Sequence, residues 1–216
     1  MLFTKFEFLL PKLIDLPLPG IEAQKKMAPM FRIQELIDTP SNKKKAKMSA
    51  VLILFYPSAE GQTHFVLIQR SVYSGVHSGQ ISFPGGKMDS SDKSFWETAL
   101  REANEEINVP STDINRVIAL TDFYIPPSNF MVYPFVGVMK NKFLFEREIK
   151  EVEKIIEVPL SDLLSSSNET RGTVLTSYVG EVIVPMYIFD DDIKVWGATA
   201  TILSEMKELI LTALKE

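Results

Sequence analysis

The spacing of hydrophobic positions changes along the chain, and each change marks an element. Ile21 to Ile37 repeats apolar residues at helical spacing, with Pro29 disturbing the middle, and a polar, lysine-rich connector follows from Thr39 to Lys47. Ala50–Tyr56 and His64–Arg70 are apolar, β-branched runs separated by Pro57-Ser58-Ala59-Glu60-Gly61-Gln62, the signature of a hairpin. Ser78 to Gly86 reads as a loop around a short strand. Ser94 to Ile107 reads as a helix with Ser91, Asp92 or Ser94 as its N-cap. Its apolar residues Phe95, Ala99, Leu100, Ala103 and Ile107 define a buried side distinct from the helix's glutamates. Strands are predicted at about Val117–Tyr124, Met131–Met139 and Ile155–Val158, then a short helix at Leu160–Leu164. A strand pair at Val174–Tyr178 and Val182–Phe189 and an amphipathic helix at Ala198–Leu214 close the chain. Strands bracketing a central helix, with a helix at the end, suit an α/β fold, an α/β/α sandwich around a mixed β-sheet.

Composition narrows the classes. The 216 residues, 45% of them hydrophobic, fit one domain with a substantial core; residues 1–48 form its helical extension and connector. The chain carries no cysteine, which excludes disulfides, thiolate metal sites and a cysteine nucleophile. The longest apolar run, Ala50 to Tyr56, falls far short of the ~20 residues that cross a bilayer. Lys5, Glu7 and Lys12 split the apolar N-terminus, so no secretory core is expected there. A net charge of −5 supplies no electrostatic reason to bind nucleic acid. The expectation is a cytoplasmic protein without nucleic-acid or membrane partners; a homodimer is left open.

Candidate chemistry concentrates in Arg101-Glu102-Ala103-Asn104-Glu105-Glu106. Residues three and four apart on a helix are neighbours, so Glu102 lies beside both Glu105 and Glu106 and like charges crowd one turn. A hard divalent cation with an oxygen shell, Mg²⁺ or Mn²⁺, relieves that repulsion and also suits substrate phosphates. The alternative is a solvated acidic face. The turn Phe83-Pro84-Gly85-Gly86 before the helix and Arg101 directly before the first glutamate favour the metal reading.

The stretch from Gly85 to Val109 resembles the Nudix box, G-x5-E-x7-R-E-U-x-E-E-x-G-U, where U is a bulky aliphatic residue. Gly86, Arg101, Glu102, Glu105, Glu106 and Val109 fall in place, and Ala103 takes the first aliphatic position. Asp92 stands where the first glutamate belongs, with eight residues rather than seven between it and Arg101, and Asn108 replaces the glycine that ends the helix. Asn is the next best residue for that left-handed position. Within the superfamily the pattern is similar to the coenzyme A pyrophosphatase branch. Gly85-Gly86-Lys87-Met88-Asp89-Ser90-Ser91-Asp92 followed by Thr98-Ala99-Leu100-Arg101-Glu102 matches its box. Val66-Leu67-Ile68-Gln69-Arg70-Ser71, Gly79 and Phe83-Pro84-Gly85-Gly86 match its upstream motif, with Gly75 where a second arginine would stand. Tyr124-Ile125-Pro126-Pro127-Ser128-Asn129 and Trp196-Gly197-Ala198-Thr199-Ala200 also look like this branch.

The resemblance implies a Nudix-type sandwich and metal-dependent hydrolysis of coenzyme A or acyl-CoA to 4′-phosphopantetheine, or its acyl form, and adenosine 3′,5′-bisphosphate. The alternatives are a broader pyrophosphatase acting on ADP-ribose, NADH or dinucleoside polyphosphates, and a non-catalytic nucleotide-binding module. Glu102 and Glu106 are the first metal ligands, with Glu105 a further ligand or the base and the Gly85 carbonyl a further oxygen. Arg101 orients and partly neutralises the glutamates, being unable to act as a base near neutrality. Arg70, His77, Gln80, Tyr124, Ser128 and Asn129 are candidates for a small CoA-like nucleotide diphosphate. Glu151 and Glu153 are candidates for a further carboxylate, with a plain charged loop as the other reading. Asp89 and Asp92 divide evenly between a solvated loop and a supporting role at the metal.

Overall fold

The apolar run of the first hairpin serves two layers at once. In β1 (Lys47–Pro57), Leu52, Leu54 and Tyr56 turn to one face of the sheet and Ile53 and Phe55 to the other, all fully buried. β2 (Thr63–Arg70) repeats the division, with Val66 and Ile68 on the first face and Phe65 and Leu67 on the second. A strand covered on both faces reads as a continuous hydrophobic run because its period of two is filled on each side. The computed structural model describes residues 1–34, 45–72, 77–176, 180–190 and 192–215. Gly75, Tyr178, most of the lysine-rich connector and the end of the Ile21–Ile37 stretch lie outside them.

β1 and β2 pair only near their turn, from Phe55–Phe65 to Pro57–Thr63. Beyond it they diverge, and two short strands fill the opening: β3 (Ile81–Ser82) against β2 and β4 (Gly85–Lys87) against β1. The glycine turn is thereby wedged into the middle of the sheet. β5 (Asn115–Ala119) and β6 (Phe123–Ile125) share one edge of β7 (Phe130–Val138), whose other edge runs parallel to β1. β8 (Val152–Pro159) lies antiparallel to β2, which completes a mixed eight-stranded sheet. The strand expected over Val117–Tyr124 is thus two strands. The chain leaves the sheet between them, where the N–H and hydroxyl of Thr121 turn to Glu205.

Helices cover both faces, α1 (Phe3–Asp15) and α2 (Gly20–Met27) preceding the sheet. α3 (Phe95–Ile107) packs Ala99, Ala103 and Ile107 against the first face. The second face takes Phe6, Leu9 and Leu13 of α1 and the apolar residues of α5 (Gly197–Ala213), which α2 also touches. The short α4 is Leu160–Leu164. β9 (Glu169–Thr176), β10 (Gly180–Phe189) and β11 (Ile193–Trp196) form a separate three-stranded antiparallel sheet against α5. Pro29 ends the Ile21–Ile37 periodicity as its missing N–H requires: α2 stops at Met27 and a 3₁₀ turn, Met30–Arg32, follows.

The closing helix is not amphipathic. Enclosed by α1, α2 and β10, it buries residues on nearly every side, Glu205 and Lys207 among them. Both charges are partnered, as burial demands. Glu205 accepts from Gly20 N–H, Thr121 N–H, the Thr121 hydroxyl and Gln24 Nε2, tying α2 and the β5–β6 link to α5. Lys207 Nζ donates to Glu169 at 2.6 Å and to the Ser165 carbonyl.

Candidate active site

α3 is capped at both ends. Ser94 Oγ accepts from Glu97 N–H, and Asn108 closes the helix in the left-handed region at φ 55°. Between these caps the glutamates do not share one face, which corrects the expectation for Glu106. Seven residues after Ala99 and three after Ala103, Glu106 falls on the buried stripe and is 1% exposed, against 15% for Glu102 and 53% for Glu105. Its Oε2 accepts from Gly85 N–H at 2.8 Å and its Oε1 from Arg70 Nη1 at 3.2 Å. Burial pushes the Glu106 carboxyl up to about 8; the Gly85 bond and Arg70 oppose the rise, while the charges of Glu102 and Glu151 add to it. Glu102 is raised as well, first by burial, with Arg101 opposing. Glu102 occupies the space in front of Gly86, where an added Cβ would stand 2.3 Å from Oε2.

One guanidinium organises the cluster. Arg101 grips Asp92 with two parallel bonds of 2.9 Å, Nε to Oδ1 and Nη2 to Oδ2. Its Nη2 also donates to the Lys87 carbonyl, and its Nη1 reaches Glu102 and Glu105 at 3.0 Å each. Asp92, 5% exposed, accepts further from Asp89 N–H and the Thr98 hydroxyl. Arg101 holds the Asp92 carboxyl well below the usual carboxylate range. The two loop aspartates therefore part company: Asp92 anchors Arg101, while exposed Asp89 accepts from Ser91 and closes a local turn. Asp92→Asn should lower stability at pH 7 by about 2 kcal/mol, the worth of a charge-assisted hydrogen-bond pair. The native pKa is depressed, so this stability is present above the ordinary carboxylate range and lost as pH falls through the native value. Urea melts of parent and variant should converge only in strong acid.

A cavity of about 410 Å³ has Gly85, Gly86 and Glu102 in its lining. Arg70, His77, Gln80, Tyr124 and Ser128 line it, and His77 Nδ1 lies 3.0 Å from Gln80 Oε1. Trp196 forms wall rather than core. Asn129 is not among the lining residues. It sits in the left-handed region at φ 55°, accepts from the Tyr124 hydroxyl and donates to the Lys45 carbonyl, so it shapes the turn behind the wall. Glu151 is close enough for its charge to oppose ionisation of Glu102 and Glu106. Glu153, exposed on β8, is engaged through its carbonyl, which accepts from Arg147. The sequence did not point to Arg32, nor to the first turn of α5, Gly197 to Thr199, as cavity wall.

Among the described residues no three acidic or histidine side chains converge on a common point. Arg101, Arg70 and Gly85 N–H take up the carboxylate oxygens instead. The donor set is nevertheless all oxygen, and Glu106 is a buried carboxylate whose charged form is disfavoured until a cation joins it. These residues fit a hard divalent ion.

Similarity to known proteins runs through the same residues. The NUDIX domain profile matches residues 46–177, which take in β1, the glycine turn and α3. Nudix hydrolase 15, mitochondrial, of Arabidopsis thaliana is 34% identical over 165 residues, 74% of this chain and little more than half, 57%, of the plant protein. The peroxisomal coenzyme A diphosphatase ndx-8 of Caenorhabditis elegans is 29% identical over 170 residues, 78% of this chain and 71% of that protein. The crystal structure of RenU, a Nudix hydrolase from M. Smegmatis, shares the fold with a TM-score of 0.54 at 15% identity, covering 77% of this chain and 87% of its own. A profile that spans well over half the chain, laid over an acidic helix packed on a glycine turn, leaves one assignment: the chain belongs to the Nudix hydrolase family.

Proposed function

We propose that the chain hydrolyses the diphosphate bond of coenzyme A or acyl-CoA, releasing 4′-phosphopantetheine, or its acyl form, and adenosine 3′,5′-bisphosphate, with Mg²⁺ or Mn²⁺ as cofactor. The observation that carries this reading is the lining of the cavity. Glu102 and the glycine turn share it with apolar residues that include Val51, Phe83, Phe123 and Trp196. Its volume lies in the range of small-molecule sites. An elongated substrate can present its diphosphate to the carboxylates while its remainder lies along those walls. The similarity to a coenzyme A diphosphatase supports the same substrate.

When bound, a hard divalent cation neutralises diphosphate charge, polarises phosphorus and lowers the pKa of the attacking water. Glu102 and Glu106 are the residues to hold it, with the Gly85 carbonyl beside them. Arg101, fixed on Asp92, keeps Glu102 and Glu105 in place. Glu105, the most exposed of the three glutamates, completes the oxygen set or accepts the water's proton. Glu151, whose charge acts on Glu102 and Glu106, is the candidate for an additional carboxylate from outside α3. His77 and Gln80, both in the cavity lining, are the candidates to hydrogen-bond phosphate or adenine.

A broader diphosphatase reading rests on Gly75, which stands where the coenzyme A branch has its second arginine. Mass spectrometry of products from coenzyme A, acyl-CoA, ADP-ribose, NADH and dinucleoside polyphosphates separates the two. Coenzyme A should show the highest kcat/KM, and EDTA should abolish turnover until Mg²⁺ or Mn²⁺ is returned. Higher kcat/KM on ADP-ribose would favour the broader enzyme, and tight nucleotide binding with no product would favour a sensor.

A further inference from the structure

The two oxygens of the Glu106 carboxylate have partners of different permanence. Oε2 is held by the main-chain N–H of Gly85, and β4 is fixed by its pairing with β1. Oε1 is held by one nitrogen of Arg70 at 3.2 Å. The Arg70 main chain is pinned: its N–H donates to the Gln80 carbonyl, and a register shift against β8 falls between Gln69 and Arg70. Its guanidinium is not buried with Glu106; it is 27% exposed and lines the cavity. Arg101 makes the contrast: as exposed as Arg70, it is held by paired bonds to Asp92 and further bonds to Lys87, Glu102 and Glu105.

We propose that Arg70 is the resident counter-ion of Glu106, that a divalent cation displaces it, and that the released guanidinium then serves the anionic part of the substrate. The idea rests on the metal-dependent reading above and adds to it an order of events. A guanidinium and a dication that share one buried carboxylate oxygen repel each other in a poorly screened site, so cation binding favours release of the guanidinium. The cation therefore pays the cost of breaking one ion pair, and its presence shifts Arg70 toward the released position. His77 and Gln80 line the same cavity beside it. A substrate phosphate would then find its arginine only in a site already loaded with metal. One side chain thereby couples the two binding events.

The test uses the full chain, Mn²⁺ alone and no nucleotide. Free Mn²⁺ is followed by electron paramagnetic resonance during titration of the parent, Arg70→Gln and Arg70→Lys. Losing the competitor should tighten Mn²⁺ binding about fivefold in Arg70→Gln, and Arg70→Lys should stay within about twofold of the parent. In a Glu106→Gln background the Arg70→Gln gain should vanish. Unchanged or weaker Mn²⁺ binding in Arg70→Gln would overturn the proposal. So would a gain that persists without the Glu106 charge, since Arg70 would then act through its general field. A second measurement needs only the parent fold: its Arg70 Nε–H resonance should shift and exchange faster with solvent when Mg²⁺ is added, and an unmoved resonance at saturating Mg²⁺ counts against displacement. Because no substrate is present, these outcomes are independent of whether coenzyme A is cleaved. A parent that binds no Mn²⁺ at all would remove the metal-dependent reading itself.

Discussion

Glu106→Gln should lower turnover by about three orders of magnitude and yet leave the metal-free protein more stable than its parent at pH 9. The rate loss follows from removing a buried charge that holds the cation; several kcal/mol of charge stabilisation at about 1.4 kcal/mol per tenfold gives that scale. The stability gain follows from the raised carboxyl. Burial lifts Glu106 to about 8 in the native state, whereas the unfolded chain titrates near the ordinary glutamate value of about 4.3. Between those two values the native protein holds a proton that the unfolded chain has released. Stability therefore falls as pH climbs through that window and levels off above it. Glutamine cannot ionise, so the variant should match its parent below about pH 4.3 and exceed it by about 2–4 kcal/mol at pH 9. Urea unfolding in EDTA at pH 4, 7 and 9 reads the difference, and saturating Mg²⁺ should narrow it by stabilising the parent alone. Equal stability at pH 9 would mean that Arg70 and Gly85 already compensate the buried charge in full.

Gly85→Ala and Gly86→Ala, one residue apart, should fail in opposite ways. Gly85 sits at φ 149°, and an added Cβ would lie 2.4 Å from the Ala50 carbonyl oxygen and 2.6 Å from Val51 Cα. Both atoms belong to the backbone of β1 and cannot yield. The substitution should cost about 3 kcal/mol or more, or yield no soluble protein. At Gly86 the obstructing atoms are the carboxylate of Glu102, the far end of a movable side chain. That variant should keep its fold within about 1 kcal/mol while turnover drops by at least about a hundredfold, because Glu102 is driven from its position. Urea melts beside turnover measurements distinguish the pair. Full activity in a folded Gly86→Ala protein would show that the reaction does not need Glu102 where the structure places it.

The first hairpin and α3 were legible because their signals are local: an apolar run filled on both faces, and a helix bounded by Ser94 and Asn108. The burial of Glu106 was legible in principle, since its spacing from Ala99 and Ala103 puts it on their stripe. The charge of the cluster masks that periodicity. The grip of Arg101 on Asp92 leaves no periodic trace, because it closes a loop across nine residues. α1 was obscured by Lys5, Glu7, Pro11 and Lys12, although Phe6, Leu9 and Leu13 recur at helical spacing and are buried. The far wall of the cavity was the least legible part. Arg32 and the first turn of α5 come onto one cavity only in the folded chain, and the pattern of Trp196 to Ala200, though it resembles the branch, does not name that place.

Glu205 gives that wall a wider meaning. By fastening α2 and Thr121 to α5, it joins the two ends of the chain into one surface. Ala28, Pro29 and Arg32 come from one end and Trp196 to Ile202 from the other, and all lie outside the stretch that defines the family, residues 46–177. The cavity wall is therefore shared: Val51, Arg70, His77, Phe83 and Phe123 come from the family's stretch, and the two ends of the chain add further wall to it. Drift in the terminal tracts alone can reshape part of the cavity while the residues around Glu102 and Glu106 stay untouched. Two relatives alike through the middle of the chain can thus present different pockets.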